Sequence, residues 1–292
     1  MPRNLPFVQV DVFTSVPLEG NQLAVFPEAN GLTDDKMQKL AKEMNLSETT
    51  FILPRDPETE EREGVRARIF TVQEELPFAG HPTLGTAWYL KQQRPEQSEI
   101  VLHLNVGRVP VRFENRDGQL FGEMRQAEPE FGEYHQHSAV ARVLGLTPDE
   151  LDENLPIQTI STGLPFTIVP FREVSTLSRL KVSWPQMASY LQSNARTGFF
   201  YFVAREGNNQ LRARMIFYNG EDPATGSAAG CCVAWAVKYG VIASDEQAVI
   251  EQGREALRPS FLYVRAMRSG EAVTNVRVGG HVVHVIDGRV TL

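Results

Sequence analysis

One pattern occurs twice in this chain, half a chain apart. Arg66-Ala67-Arg68-Ile69-Phe70 leads to Glu75-Leu76-Pro77-Phe78-Ala79-Gly80-His81-Pro82-Thr83-Leu84-Gly85-Thr86-Ala87. Arg212-Ala213-Arg214-Met215-Ile216-Phe217 leads to Glu221-Asp222-Pro223-Ala224-Thr225-Gly226-Ser227-Ala228-Ala229-Gly230. From Arg66 to Arg212 the offset is 146 residues, half of the 292-residue length. Each copy reads as a strand, a turn with an acid or His beside Pro, and the small-residue start of a helix. The duplication predicts two similar halves, each aiming a helix N-terminus at a shared site.

The remaining pattern places these copies among many short strands. Strands are expected at Pro6–Thr14, Leu23–Phe26, Glu48–Leu53, Val65–Thr71, Ile100–Leu104, Val109–Glu114 and Leu120–Met124. Thr33–Met44 carries a cap candidate and Met37, Leu40, Ala41 and Met44 at helical spacing, and His81–Gln92 is the first small-residue helix. Charged, Pro-bearing Pro54–Gly64 reads as a surface loop, and polar Gln126–His137 as the boundary between halves. Beyond it come helices at Ser138–Leu144, Trp184–Gln192 and Ala224–Tyr239. The strands there are Ile157–Ser161, Pro165–Val169, Phe199–Ala204, Leu211–Phe217, Ala248–Glu251, Ser260–Arg265, Thr274–Val278 and Val282–Val285. Strands outnumber helices, which favours α+β with antiparallel or mixed sheets over repeated βαβ units. The expected division is residues 1–126, joined by the last strand 284–292, and residues 127–283.

Net charge narrows the partners. At −7, the chain lacks the basic face that phosphate neutralisation requires, which argues against nucleic acid and for a small molecule. No apolar run reaches the roughly 18 residues of a membrane span, and Met1–Pro6 lacks a cationic stretch followed by an apolar core. Cys231 and Cys232 are adjacent within an apolar helical pattern, so no disulfide framework is indicated. A cytoplasmic protein is expected.

Asp222-Pro223 reads as a helix opening, with Asp as cap and Pro at the first helical position, and His81-Pro82 has the same form. The small residues that follow leave backbone N–H groups bare at the positive end of the macrodipole, which suits an anion. Two such ends could hold a carboxylated substrate; they could equally be two well-capped helices packed closely on sheets. Neither a G-x-G-x-x-G fingerprint nor a G-x-x-x-x-G-K-[ST] loop is present, so no nucleotide cofactor is expected. His135 and His137 lie in a polar stretch without nearby Cys or paired carboxylates, and no metal is expected. Trp88 and Trp235 occupy similar places on the two repeat helices.

Several segments carry a resemblance. Val10-Asp11-Val12-Phe13-Thr14 with Pro17, Gly20-Asn21 and Ala24-Val25-Phe26 looks like the opening of the phenazine biosynthesis PhzF-like family. Asn45-Leu46-Ser47-Glu48-Thr49-Thr50-Phe51 is similar to its most diagnostic segment; the two helix starts resemble its helix-start motifs, and Gln252-Gly253-Arg254 with Arg258-Pro259-Ser260 a late one. The resemblance covers nearly the whole chain in order. It implies a diaminopimelate-epimerase-like fold, with two pseudo-symmetric domains, each a curled sheet around a central helix, and the active site in the cleft between them. It further implies a homodimer and cofactor-free isomerisation of a cyclic dihydro-hydroxyanthranilate by a proton shift.

The catalytic acid/base of the family maps onto Glu48, and assisting groups onto His81, Asp222 and Ser227. Gly80, Thr225 and the first-turn amides near Gly226 map onto contacts to a substrate carboxylate. Glu48 stands between a polar turn and apolar Phe51-Ile52-Leu53, where partial desolvation would suit an acid/base. Cysteine-dependent epimerases of the wider fold place one thiol at each helix start; here Cys231 and Cys232 lie about 1.5–2 turns further in, so two-thiolate racemisation is not expected. A non-catalytic binding or protein-interaction module on the same fold is the alternative.

Overall fold

A computed structural model describes residues 3–194, 199–217 and 220–292. The chain forms two compact units, Met1–Arg125 with Gly279–Leu292, and Gln126–Val278. No helix among the described residues is long and apolar enough to cross a membrane.

The first unit contains β1 (Asn4–Val12), β2 (Asn21–Phe26), α1 (Asp34–Met44), β3 (Glu48–Ile52), α2 (Pro57–Glu63), β4 (Val65–Phe70), β5 (Glu75–Leu76), α3 (Gly80–Gln93), β6 (Glu99–Leu104), β7 (Gly107–Arg116) and β8 (Gln119–Arg125). The second contains β9 (Glu130–His135), α4 (His137–Leu144), β10 (Ile157–Ser161), β11 (Pro165–Phe171), α5 (Val174–Arg179), α6 (Trp184–Asn194), β12 (Phe199–Gly207), β13 (Gln210–Phe217), β14 (Gly220–Glu221), α7 (Gly226–Lys238), β15 (Ala248–Gln252) and β16 (Ser260–Ser269). The long β17 (Ala272–Thr291) gives its first residues to the second unit and the rest, from Gly279, to the first.

In the first unit β17 pairs antiparallel with β1 and β1 with β2; β2 and β3 are parallel, β3 and β4 antiparallel, β4 and β6 parallel, β6 and β7 antiparallel. The pairs β7–β8 and β8–β17 close the circuit. The second unit repeats the order from β9 through β10, β11, β12, β13 and β15 to β16: antiparallel, antiparallel, parallel, antiparallel, parallel, antiparallel. Two parallel junctions per unit explain the helices, because a parallel neighbour requires a crossover. α1 and α3 serve this purpose in the first unit, and α5, α6 and α7 in the second.

Register makes the correspondence residue by residue. Glu48 pairs with Leu23 of the parallel neighbour, as Phe199 pairs with Phe166. Thr50 lies opposite Ile69, as Tyr201 lies opposite Met215. His103 pairs with Arg66, as Glu251 pairs with Arg212, so Leu104 and Gln252 follow at matching positions. The first unit thus has Glu48, Thr50 and Leu104 where the second has Phe199, Tyr201 and Gln252.

The crossover helices are built for burial. In α3, Gly80 to Ala87 and Leu90 are buried; in α7 every residue from Gly226 to Val237 is. Both therefore carry small or apolar residues all round, as an enclosed helix must. Gly85 is required by close approach: a Cβ there would meet Leu23 Cδ2 at 2.7 Å and Val12 Cγ2 at 2.9 Å. Surface helix α1 is amphipathic instead. Thr33 caps it by accepting the Lys36 N–H at 3.3 Å, and Asn45 ends it in the left-handed region.

Three sequence expectations are corrected, and one helix goes beyond them. Pro54–Gly64 contains α2, because Asp56 accepts from the Thr59 N–H and Pro57 sits at the first helical position. Gln126–His137 contains β9, whose pairing with β10 outweighs its polar composition. The short α5 lacks a side-chain cap to signal it. Trp88 and Trp235 do not match: they are the ninth and tenth residues of their helices, and Trp88 is half-buried whereas Trp235 is buried.

Candidate active site

Each unit gathers polar side chains at the start of its central helix. In the first, Glu48 opens β3, Asn21 opens β2 and His81 is the second residue of α3. The parallel β2–β3 pair brings two strand starts to one edge, and α3 begins against them. His81 Nε2 lies 3.4 Å from Glu48 Oε2, and His81 Nδ1 lies 3.2 Å from Asn21 Nδ2. The Glu48 side chain is 13% exposed and that of His81 3%. Burial pushes the imidazole pKa down to about 3, against an opposing contact with the Gln22 backbone. His81 is therefore neutral at physiological pH, with one donor and one acceptor nitrogen between Asn21 and the Glu48 carboxylate. Gly80 is the first residue of α3, which has no side-chain cap; Pro82 lacks an N–H, so Gly80 and His81 supply the amides of this helix start.

In the second unit the helix begins at Gly226, not at Asp222-Pro223. The expected cap role of Asp222 is thereby corrected, as is the expectation of a proline at the first helical position of either helix. Asp222, buried, instead accepts from the Thr225 hydroxyl at 2.6 Å. Thr225 spends its amide as well, donating to Gln252 Oε1 at 3.1 Å. Both of its donors are thus engaged within the protein, one by Asp222 and one by Gln252 at the end of β15. Gly226, Ser227 and Ala228 carry the amides of the first turn of α7, again without a side-chain cap. Ser227, buried, is the second residue of α7 as His81 is of α3.

An ion pair stands behind each helix start. Arg68 grips Glu75 through Nε at 2.8 Å and Nη2 at 2.5 Å; Arg214 grips Glu221 through Nε at 2.7 Å and Nη2 at 2.8 Å. These bidentate pairs join β4 to β5 and β13 to β14, the two-residue strands that lead into the helices. The sequence copies therefore encode a duplicated clamp as well as a duplicated helix.

Several residues at these sites escaped sequence reasoning. Asn21 and Gln252 fall within the segments that carry the resemblance, but their partners are 60 and about 30 residues away. Gln126 donates to the Gly226 carbonyl at 2.8 Å and accepts from Thr162 at 2.6 Å. Gly230 makes room for it, since a Cβ there would meet Gln126 Oε1 at 1.9 Å. His135 and His137 are engaged elsewhere, with Thr159 and Tyr190 and with the carbonyls of Asp152 and Leu155.

A family model described as phenazine biosynthesis-like protein (PhzC-PhzF) matches residues 10–288. The chain belongs to this phenazine biosynthesis-like family. Trans-2,3-dihydro-3-hydroxyanthranilate isomerase of Pseudomonas aeruginosa is 34% identical over 292 residues, covering 98% of this chain and 99% of that protein. An uncharacterized isomerase of Mesorhizobium japonicum is 35% identical over 298 residues, covering 97% of each. Among solved structures, a PhzF-family phenazine biosynthesis protein of Bacillus anthracis superimposes with a TM-score of 0.86 at 26% identity, covering 99% of this chain and 100% of that one. A predicted epimerase of Pseudomonas aeruginosa gives 0.84 at 35% identity, covering 98% and 99%. A hydroxyproline epimerase of Agrobacterium vitis, at 14% identity and 0.66 (99% of this chain and 92% of that one), shares the fold alone. Like these named relatives, the family member described here is an isomerase, acting on a small metabolite.

Proposed function

We propose that this isomerase moves a proton on an activated, carboxylated metabolite by general acid/base chemistry and without a cofactor. The observation that carries the reading is the buried Glu48–His81 contact at the start of α3. Glu48 takes the proton from carbon and returns it to another position. His81, neutral beside it, holds one carboxylate oxygen by its ring N–H or relays the proton. A positioned carboxylate contributes about 10²–10⁴-fold, which suffices only for a C–H made acidic by a neighbouring carbonyl or conjugated ring double bond. Helix-start amides, at Gly80 in one unit and Gly226 with Ser227 in the other, bind the carboxylate and stabilise enolate-like charge as it forms. Asp222 orients the substrate. A dihydro-hydroxyanthranilate of the kind named for the Pseudomonas relative is the first compound to offer. The working form is a homodimer.

Solvent deuterium incorporation into trans-2,3-dihydro-3-hydroxyanthranilate, followed by mass spectrometry and NMR, tests the assignment. Glu48→Gln keeps the shape of the side chain and removes its basicity, so exchange falls by about 10²–10⁴-fold. Wild-type exchange in that variant excludes Glu48 as the proton carrier. A product of changed mass would replace isomerisation by elimination.

A further inference from the structure

The turn that presents Asp222 is held by a buried polar chain with no counterpart in the other half. Gln252 is fully buried and makes four hydrogen bonds. Its Oε1 accepts from the Thr225 N–H at 3.1 Å and from the Tyr201 hydroxyl at 2.9 Å. Its Nε2 donates to the Asp222 carbonyl at 2.8 Å and to Thr225 Oγ1 at 2.9 Å. Two of these partners are backbone groups that can act in one sense only, an N–H and a C=O, so the amide has a single permissible orientation. The rest follows from donor counting. Thr225 Oγ1 receives the Gln252 proton, and its own hydrogen is left to point at Asp222 Oδ2, 2.6 Å away. Tyr201 is also fully buried, and burial raises its pKa well above the ordinary phenol value, so it remains a donor.

The fold itself does not require this chain. At the matching positions the first unit carries Leu104 for Gln252 and Thr50 for Tyr201 in the same strand order. A buried polar network is costly unless every member is satisfied, and the sister sheet fills the same sites with apolar Leu104 and the shorter Thr50. What distinguishes the second unit is the buried Asp222 carboxylate at the end of the chain of donors.

We propose that Gln252, anchored by Tyr201, is a positioning residue that locks the Thr225 hydroxyl onto Asp222 and so fixes the direction in which Asp222 meets the substrate. This rests on the reading of Asp222 as a substrate-orienting group, and two readouts keep the two ideas apart. The first is structural: crystal structures of full-length wild type, Gln252→Leu and Tyr201→Phe are compared at the Thr225 Oγ1–Asp222 Oδ2 contact. It opens in Gln252→Leu and survives in Tyr201→Phe, where the backbone groups still hold the amide. If Gln252→Leu does not fold, Gln252→Glu, which keeps the shape but lacks the Nε2 donor, supplies the same reading.

The second is kinetic: with trans-2,3-dihydro-3-hydroxyanthranilate as probe, Gln252→Leu raises KM about 3- to 10-fold, as expected for loosening a hydrogen bond that orients the carboxylate, with a smaller change in kcat. Added to Thr225→Val, it costs less than about twofold more, because both act through Asp222. An unchanged 2.6 Å contact in the variant, or fully additive losses, overturns the proposal. If wild type does not turn over the probe, the proposed activity fails, and the crystallographic contact still decides the positioning role.

Discussion

The starts of α3 and α7 share a scaffold and differ in chemistry. Both open on glycine, both lack a side-chain cap, both bury their first turns, and both follow a bidentate Arg–Glu pair. Yet the second helical residue is His81 in one and Ser227 in the other, and a carboxylate opens β3 where Phe199 opens β12. The acid of the second half comes from Asp222, in the turn instead of on a strand. The difference teaches that strand order and clamp are demands of the fold, met twice, whereas the titratable groups differ between the copies; in the proposed reaction Glu48 carries the proton and Asp222 orients the substrate.

The largest effect should come from testing that division directly. Glu48→Gln is expected to lower turnover about 10²–10⁴-fold with KM little changed, while Asp222→Asn acts chiefly on KM, about tenfold. Steady-state kinetics on both variants would erase the distinction if the losses fell on the same parameter.

His81 sharpens the comparison through pH. Its folded pKa, about 3, lies below the unfolded value of about 6.5. The unfolded chain therefore binds the extra proton between those values. Stability contributed by the neutral buried ring is complete above about pH 6.5 and drains as the pH falls toward 3, by roughly 5 kcal/mol in all. His81→Ser installs the α7 residue in α3. Chemical denaturation of wild type and variant between pH 3.5 and 7 should show the acid-side slope shallower in the variant by close to one proton; parallel slopes would mean that His81 does not stay neutral in the folded chain.

How far these features could be read from the residues differs by region. The duplicated strands, the two small-residue helices and the α+β class were legible because period and turn chemistry are local properties. The ends of the helices were not: Asp222-Pro223 has the composition of a cap, but Thr225 and Gln252 divert the turn so that the helix starts at Gly226. Glu48, His81 and Asp222 were nameable through the family segments around them. Asn21 against His81, Tyr201 against Gln252 and Gln126 beneath Gly230 were not, since register across a curled sheet sets those meetings. In β9 the polar composition misled because pairing with β10, not side-chain burial, defines the strand.

The clamps offer a smaller contrast in stability. Arg214 is 8% exposed and its Nη1 also donates to the carbonyls of Leu177 and Leu180, tying the end of α5 to the turn. Arg68 is 15% exposed and its second partner, Asp34, is 82% exposed. Removing one member of a buried pair strands the other, so Arg214→Met should cost about 3–5 kcal/mol. The wetter Arg68→Met should cost about 1–2 kcal/mol. Urea midpoints for the two variants measure the order; equal losses would make burial irrelevant to the pair.

The smallest effect concerns the thiols and divides this chain from epimerases that use cysteine. Cys231 and Cys232 occupy the positions of Gly85 and Thr86, deep in the helix instead of at its first turn. Burial raises the Cys231 thiol to about 11, despite hydrogen bonding with Thr162, and the Cys232 thiol further, with Cys231 adding to the rise. Only a thiolate removes a proton from carbon or attacks an alkylating agent at a useful rate, and neither sulfur ionises near neutrality. Cys231→Ala with Cys232→Ala should therefore keep solvent exchange within about twofold of wild type and lose about 1–2 kcal/mol of stability through missing core volume. Iodoacetamide should leave the activity of the native wild type intact over hours. Inactivation protected by substrate would move the proton-transfer step from Glu48 to sulfur, and with it the asymmetry between the two helix starts.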